Sequence, residues 1–174
     1  MATPTRAADA VSIRTAIAPD LEALTSIYNH YVRETPITFD VEPCSVDARR
    51  SWLDGFSVTG RYRLLLAEEA GVIRGYACSH RFRLKAAYDT SIETTIYLDP
   101  KATGRGIGRR LYEALFEELA SEDVHLALAG ITLPNPASLA LHLRLGFEPV
   151  GVFKEVGYKF GRYWDVVWMQ KPVR

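Results

Sequence analysis

The stretch SIETTIYLDPKATGRGIGRRLYEALFEELA (Ser91–Ala120) decides the fold. With Thr90 included, its first part is rich in β-branched residues and reads as a strand running to Leu98, stopped by Asp99-Pro100. Its last part, from about Gly108 to Ala120, reads as a helix. Between them, Gly104, Gly106 and Gly108 alternate with other residues. Such spacing allows positive φ and lets a ligand approach the main chain with no Cβ in the way. Main-chain N–H groups and the dipole at the start of the helix favour an anion, and Arg105, Arg109 and Arg110 bring full charges beside them. The loop fits a pyrophosphate site. It fits equally a tight strand-to-helix turn followed by a solvated basic face. It is not GxGxxG and lacks the Lys-Ser/Thr of a P-loop, which argues against dinucleotides and nucleoside triphosphates.

Working outward, Val11–Ile17 alternates as a strand, and Leu21, Leu24, Ile27, Tyr28 and Tyr31 recur at helical spacing until Thr35-Pro36. A shorter helix is predicted from Ser45, carrying Trp52, Leu53 and Phe56 and closed by Gly60. Tyr62–Glu69 and Val72–Phe82 flank Ala70-Gly71 as a hairpin. Beyond the quoted stretch come a strand over Val124–Ile131 and a helix from Asn135-Pro136 to Gly146. Two strands, about Phe147–Val156 and Tyr163–Lys171, are joined across Gly161. The order β-α-α-β-β-β-α-β-α-β-β, with no repeat or linker, predicts one α/β domain over residues 11–174, a mixed sheet with helices on both faces. Residues 1–10 read as a flexible tail.

Composition narrows the chemistry. The 174 residues are 48% apolar and 24% charged, with 21 Lys+Arg against 21 Asp+Glu, so no global field gathers nucleic acid or an anionic membrane. No apolar stretch is long enough to cross a bilayer, and the first ten residues do not resemble a secretory signal; a cytoplasmic protein is expected. Cys44 and Cys78 lack metal-ligand spacing, so reduced thiols and no metal are expected.

Two features carry candidate chemistry. Glu93 is an acid inside a β-branched strand, against propensity; it faces either solvent or a cleft whose burial would raise its pKa and suit a general base. In the helix after Pro134, Asn135, Ser138 and His142 share one face. That stripe is either functional or a capping Asn beside a buried, satisfied His.

Five segments in order carry a resemblance: IYNHYVRETPITF (Ile27–Phe39), AYDTSIETTIYL (Ala87–Leu98), GRGIGRRLY (Gly104–Tyr112), LPNPASLALHLRLGF (Leu133–Phe147) and VGYKFGRYWDV (Val156–Val166). Over Val11–Lys171 the chain resembles the GNAT acetyltransferase superfamily, in its phosphinothricin and methionine sulfoximine N-acetyltransferase branch. The resemblance implies a mostly antiparallel seven-stranded sheet, a homodimer, and transfer of acetyl from acetyl-CoA to a small amino-acid-like amine. It implies that main-chain groups of Ile96, Tyr97 and Leu98 bind the pantetheine arm and that Arg105, Gly106, Ile107, Gly108 and Arg109 hold the pyrophosphate. Asn135 and Ser138 would contact the cofactor arm. Glu93 would be the base and His142 the acid, a base assistant or a positioning group. Tyr28, Tyr31 and Phe39 are candidate pocket walls, and Arg81, Arg83 and Lys85 candidate carboxylate ligands. Thr103 stands where relatives carry Gln or Arg, Lys85 where they often carry Arg, and Tyr163 where they often carry Trp. Acetylation of a protein N-terminus or lysine, and a non-catalytic CoA sensor, are the competing readings.

Overall fold

The computed structural model describes residues 11–174, so the tail expected over 1–10 lies outside the described residues. Seven strands form one sheet: β1 Ser12–Thr15, β2 Leu64–Glu69, β3 Val72–Arg81, β4 Ser91–Leu98, β5 Leu126–Thr132, β6 Glu148–Lys159 and β7 Arg162–Pro172. Their order across the sheet is β1-β2-β3-β4-β5-β7-β6. Every pairing is antiparallel except β4 with β5. The helices are α1 Leu21–Glu34, α2 Arg50–Leu53, α3 Ile107–Leu119 and α4 Pro136–Arg144.

Period-two alternation builds two cores from one sheet. Leu65, Ala67, Ala77 and Ile92 face α3, where they meet Ile107, Leu111, Leu115 and Leu119. Their neighbours Leu64, Leu66, Tyr76 and Cys78 face α1, where they meet Leu24 and Ile27. Two-residue turns set the register: Ala70-Gly71 (φ 51° and 78°) joins β2 to β3, and Phe160-Gly161 (φ 54° and 74°) joins β6 to β7. The entry to α1 is fixed by Arg14 of β1, which donates to both oxygens of buried Asp20 (2.7 and 2.8 Å) and to Glu68 of β2.

The helix expected from Ser45 is mostly turn. Ser45 Oγ does accept from Ala48 N (3.1 Å), as a cap would. Hydrogen bonds three residues back dominate on either side, however: Arg50 N to Asp47 O, Gly55 N to Trp52 O and Phe56 N to Leu53 O. Only α2 keeps α-helical form. The result matters, because Arg49 lies in the tight turn and enters the core.

Candidate active site

β4 and β5 pair over three residues only, Ser91–Glu93 against Leu126–Leu128. Just past Glu93 the strands part, and Thr94 Oγ1 donates to Leu128 O (3.2 Å) at the fork. Beyond it β4 stays paired with β3 as far as Leu98, and β5 with β7 as far as Thr132. Each therefore keeps one outer edge and opens the other. Thr90 O accepts from His125 N (2.8 Å), so the even-numbered residues of β4 turn their main-chain groups toward β5. By that alternation Ile96 presents main-chain groups, and Leu98 its N–H, toward the opening, while Tyr97 hydrogen-bonds on the β3 side. Of the expected set, Ile96 and Tyr97 line the opening, whereas Leu98 lies past its lining with its carbonyl accepting from Tyr31.

The opening forms a cavity of about 420 Å³. Glu93–Tyr97 make one wall and Ala129–Thr132 the other; Asn135, Ser138, His142 and Tyr112 lie deeper, and Ile37–Phe39 with Phe153 and Val156 cover it. The cover is held from the far hairpin, where Lys159 Nζ donates to Thr38 O (2.8 Å) although 121 residues separate them. Gly157 of β6 makes room for the Phe39 ring, which a Cβ at that position would overlap. Gly157→Ala is accordingly expected to displace Phe39 and raise KM for the amine about tenfold, leaving acetyl-CoA affinity within twofold; steady-state kinetics with calorimetry checks this.

Glu93 is half-buried in this wall and has no hydrogen-bond partner among the described residues. Burial raises its pKa above the ordinary carboxylate value, opposed by the nearby charges of His80 and Arg83. His80 stands directly across the β3–β4 ladder from Glu93, and its Nε2 lies 3.2 Å from Thr95 Oγ1. Unoccupied lone pairs on a desolvated carboxyl at a cleft wall suit a proton acceptor.

On α4, Asn135 Oδ1 accepts from Ser138 N (3.1 Å), the cap the sequence predicts. His142 is buried, and burial depresses its pKa. Its Nδ1 lies 2.8 Å from Ser138 O and so carries the proton; Nε2, 3.3 Å from the buried Tyr112 hydroxyl, is left to accept from it. The imidazole is neutral and satisfied on both sides.

α3 begins with Gly106 in the left-handed region (φ 77°) as its N-cap. Gly108 lets this turn sit against Ile96, Leu98 and Leu141, so the first N–H groups of α3 lie at the end of β4. The arginines of the loop are engaged elsewhere: Arg105 pairs with Glu69, Arg109 with Glu113 (2.7 Å), and Arg110 with Val11 O (2.5 Å). Each of these side chains thus has a partner within the protein, while the start of α3 presents main-chain N–H groups.

Other expected residues lie elsewhere. Tyr31 donates to Leu98 O (2.7 Å) and packs on Tyr97, bracing β4 rather than lining the cleft. Tyr28 donates to Asp40 (2.5 Å) and lines a second, smaller cavity. Arg81 turns to the Tyr62 hydroxyl (3.3 Å) and Asp89 (3.8 Å), Arg83 stacks on Phe82, and Lys85 is exposed; none of the three lines the cleft. The sequence reading missed Thr38, Thr95, Tyr112 and Trp168 as lining residues; Thr95 alone carried a signal, two residues from Glu93 on the same face.

Comparison with known proteins agrees with this geometry. Residues 13–168 match the family described as Acetyltransferase (GNAT) domain. Phosphinothricin N-acetyltransferase of Streptomyces coelicolor is 54% identical over 165 residues, covering 94% of this chain and 96% of that one. The L-methionine sulfoximine/L-methionine sulfone acetyltransferase of Salmonella typhimurium is 36% identical over 160 residues, covering 92% and 93%. The crystal structure of a phosphinothricin acetyltransferase from Sinorhizobium meliloti in complex with acetyl-CoA superposes with a TM-score of 0.88 at 35% identity, covering 93% of this chain and 88% of that one. The seven-stranded sheet forked at Glu93, the glycine loop and these matches together make the chain a member of the GNAT acetyltransferase family.

Proposed function

We propose that the enzyme transfers acetyl from acetyl-CoA to the amine of a small amino acid of the phosphinothricin or methionine sulfoximine/sulfone type, with Glu93 as general base. The observation that carries this reading is the fork itself: an unpaired β4 edge ending at a glycine-built helix start, with a free carboxyl in its wall. The residues fit the cosubstrate. Ile96 offers main-chain groups, and Leu98 its N–H, to an extended amide-bearing arm, and a Cβ at Gly104 or Gly106 would project into open space beside the α3 N-terminus, where a pyrophosphate fits.

Acetyl-CoA supplies an activated acyl group with a thiolate leaving group. Glu93 takes the proton from the ammonium of the substrate and frees the nitrogen lone pair. The Ile96 N–H meets the carbonyl oxygen as negative charge builds on it. His142, being neutral and satisfied, acts as the positioning group among its three possible roles, fixing Ser138 and Tyr112. Holding amine and thioester together supplies much of the rate. We assign the enzyme to the cytoplasm; no described helix is long and apolar enough to cross a membrane.

The experiment is a panel of amines assayed for CoA release. Methionine sulfone or phosphinothricin should exceed peptides in kcat/KM by about a thousandfold. Turnover of peptides but not of free amino acids would overturn the substrate class. We also propose a homodimer, supported by exposed Val152, Phe153, Val156, Tyr158 and Tyr163 on and beside edge strand β6. Light scattering should return twice the 19.5 kDa chain mass.

A further inference from the structure

On the α1 side of β4 lies a cavity of about 290 Å³ that shares Thr95 and Tyr97 with the cleft. Arg49, from the turn before α2, lines it and is 7% exposed. Its guanidinium lies 3.7 Å from the Trp52 ring centroid and 4.6 Å from that of Tyr28, and Nη2 lies 3.3 Å from the Tyr76 hydroxyl. Nε has no hydrogen-bond partner, and no carboxylate comes within 4.0 Å of Arg49, among the described residues. Other inward-lying arginines differ: Arg14 has Asp20, Arg63 has Glu122 and Arg74 has Glu69. Asp40 lines the same cavity and accepts from the Tyr28 hydroxyl, but it lies beyond ion-pair distance of Arg49.

A guanidinium keeps its proton under all working conditions, so a buried one demands a counter-charge. The flanking rings offset part of that demand through their π faces, and the Tyr76 hydroxyl, a neutral acceptor at Nη2, brings no counter-charge. A guanidinium placed over aromatic rings keeps a fork of N–H donors that matches a carboxylate bidentately. Across the cavity stand His80 and Thr95, the cross-strand and same-face neighbours of Glu93. The Cys78 thiol, which also lines it, feels the charges of both Arg49 and Glu93.

We propose that Arg49 receives the α-carboxylate of the amino-acid substrate in this cavity, directing its amine past Thr95 toward Glu93. This assignment rests on the proposed function and takes the carboxylate from Arg81, Arg83 and Lys85, none of which lines the cleft, although the charge of Arg83 reaches Glu93. It makes Arg49 the residue that separates amino acids from simple amines.

The test compares methionine sulfone with its carboxamide as acceptors for wild type, Arg49→Met and Arg49→Lys, with acetyl-CoA binding measured alongside. Wild type should prefer the acid about 100-fold in kcat/KM. Arg49→Met should bring the ratio near unity through KM of the acid, with acetyl-CoA affinity unchanged, and Arg49→Lys should restore part of it. A wild-type ratio surviving in Arg49→Met, or a wild type with no preference, overturns the proposal. Should the variants fail to fold, a crystal structure of the wild-type enzyme with CoA and methionine sulfone decides. Carboxylate oxygens within hydrogen-bond distance of Arg49 support the assignment, and a carboxylate held anywhere else refutes it. Absence of any acetyl transfer with intact acetyl-CoA binding would instead sink the enzymatic reading, a result visible apart from the acid-to-amide ratio.

Discussion

Glu93→Gln is expected to lower kcat about 1,000-fold at neutral pH while leaving acetyl-CoA affinity within twofold. The amide keeps the shape of the carboxyl but takes no proton from the ammonium. Burial holds the Glu93 pKa above the usual carboxylate value, so the protonated, inactive form persists to higher pH than it would in an exposed acid. In wild type, kcat/KM should therefore rise with pH through that raised pKa, and the variant should lose this acid limb. Stability moves the other way. A carboxyl whose folded pKa exceeds its unfolded value stabilises the fold below the unfolded pKa, and that contribution is lost as pH rises through the folded pKa. Glu93→Gln should thus melt no lower than wild type above that pKa, so lost activity cannot be traced to unfolding. A kcat within threefold of wild type with the same pH profile would remove Glu93 from its role.

Gly106→Val should weaken acetyl-CoA binding about 100-fold and leave the sheet intact. Gly106 sits at φ 77° and ψ 2°, where an L-residue costs about 1–2 kcal/mol and a β-branched one more. A Cβ there would meet no atom within 4 Å beyond the glycine's own chain neighbours. It would project into the space assigned to the pyrophosphate and tilt the first N–H groups of α3. Gly108 differs, since its Cβ would rest on the Ile96, Leu98 and Leu141 side chains at 3.4 Å instead of entering open space. Calorimetry with circular dichroism separates the two effects; unchanged affinity in Gly106→Val would show that the loop is only a turn.

The strands were legible because alternation survives folding: Leu64–Ala67 sends neighbours to opposite cores, and Ala70-Gly71 adopts the left-handed pair that a two-residue hairpin needs. The segment after Ser45 was not, since a capping serine does not reveal whether the chain then bonds three or four residues back. Glu93, Asn135, Ser138 and His142 were readable from spacing and resemblance, and all four line the cleft. The cations misled. Arg81, Arg83 and Lys85 follow the strand that pairs with β4, but β3 ends at Arg81 and the chain turns outward there. Arg49 and Lys159 carried no sequence signal, because their burial depends on Tyr76 and Thr38, brought close only by the fold.

The central claim is that the open edge of β4 and the start of α3 hold a thioester cosubstrate against Glu93. Titrating the wild-type protein with acetyl-CoA in a calorimeter tests it directly. One saturable site per chain, with affinity in the micromolar range or tighter, is predicted; the absence of heat at saturating acetyl-CoA, together with no change in melting temperature, would contradict it.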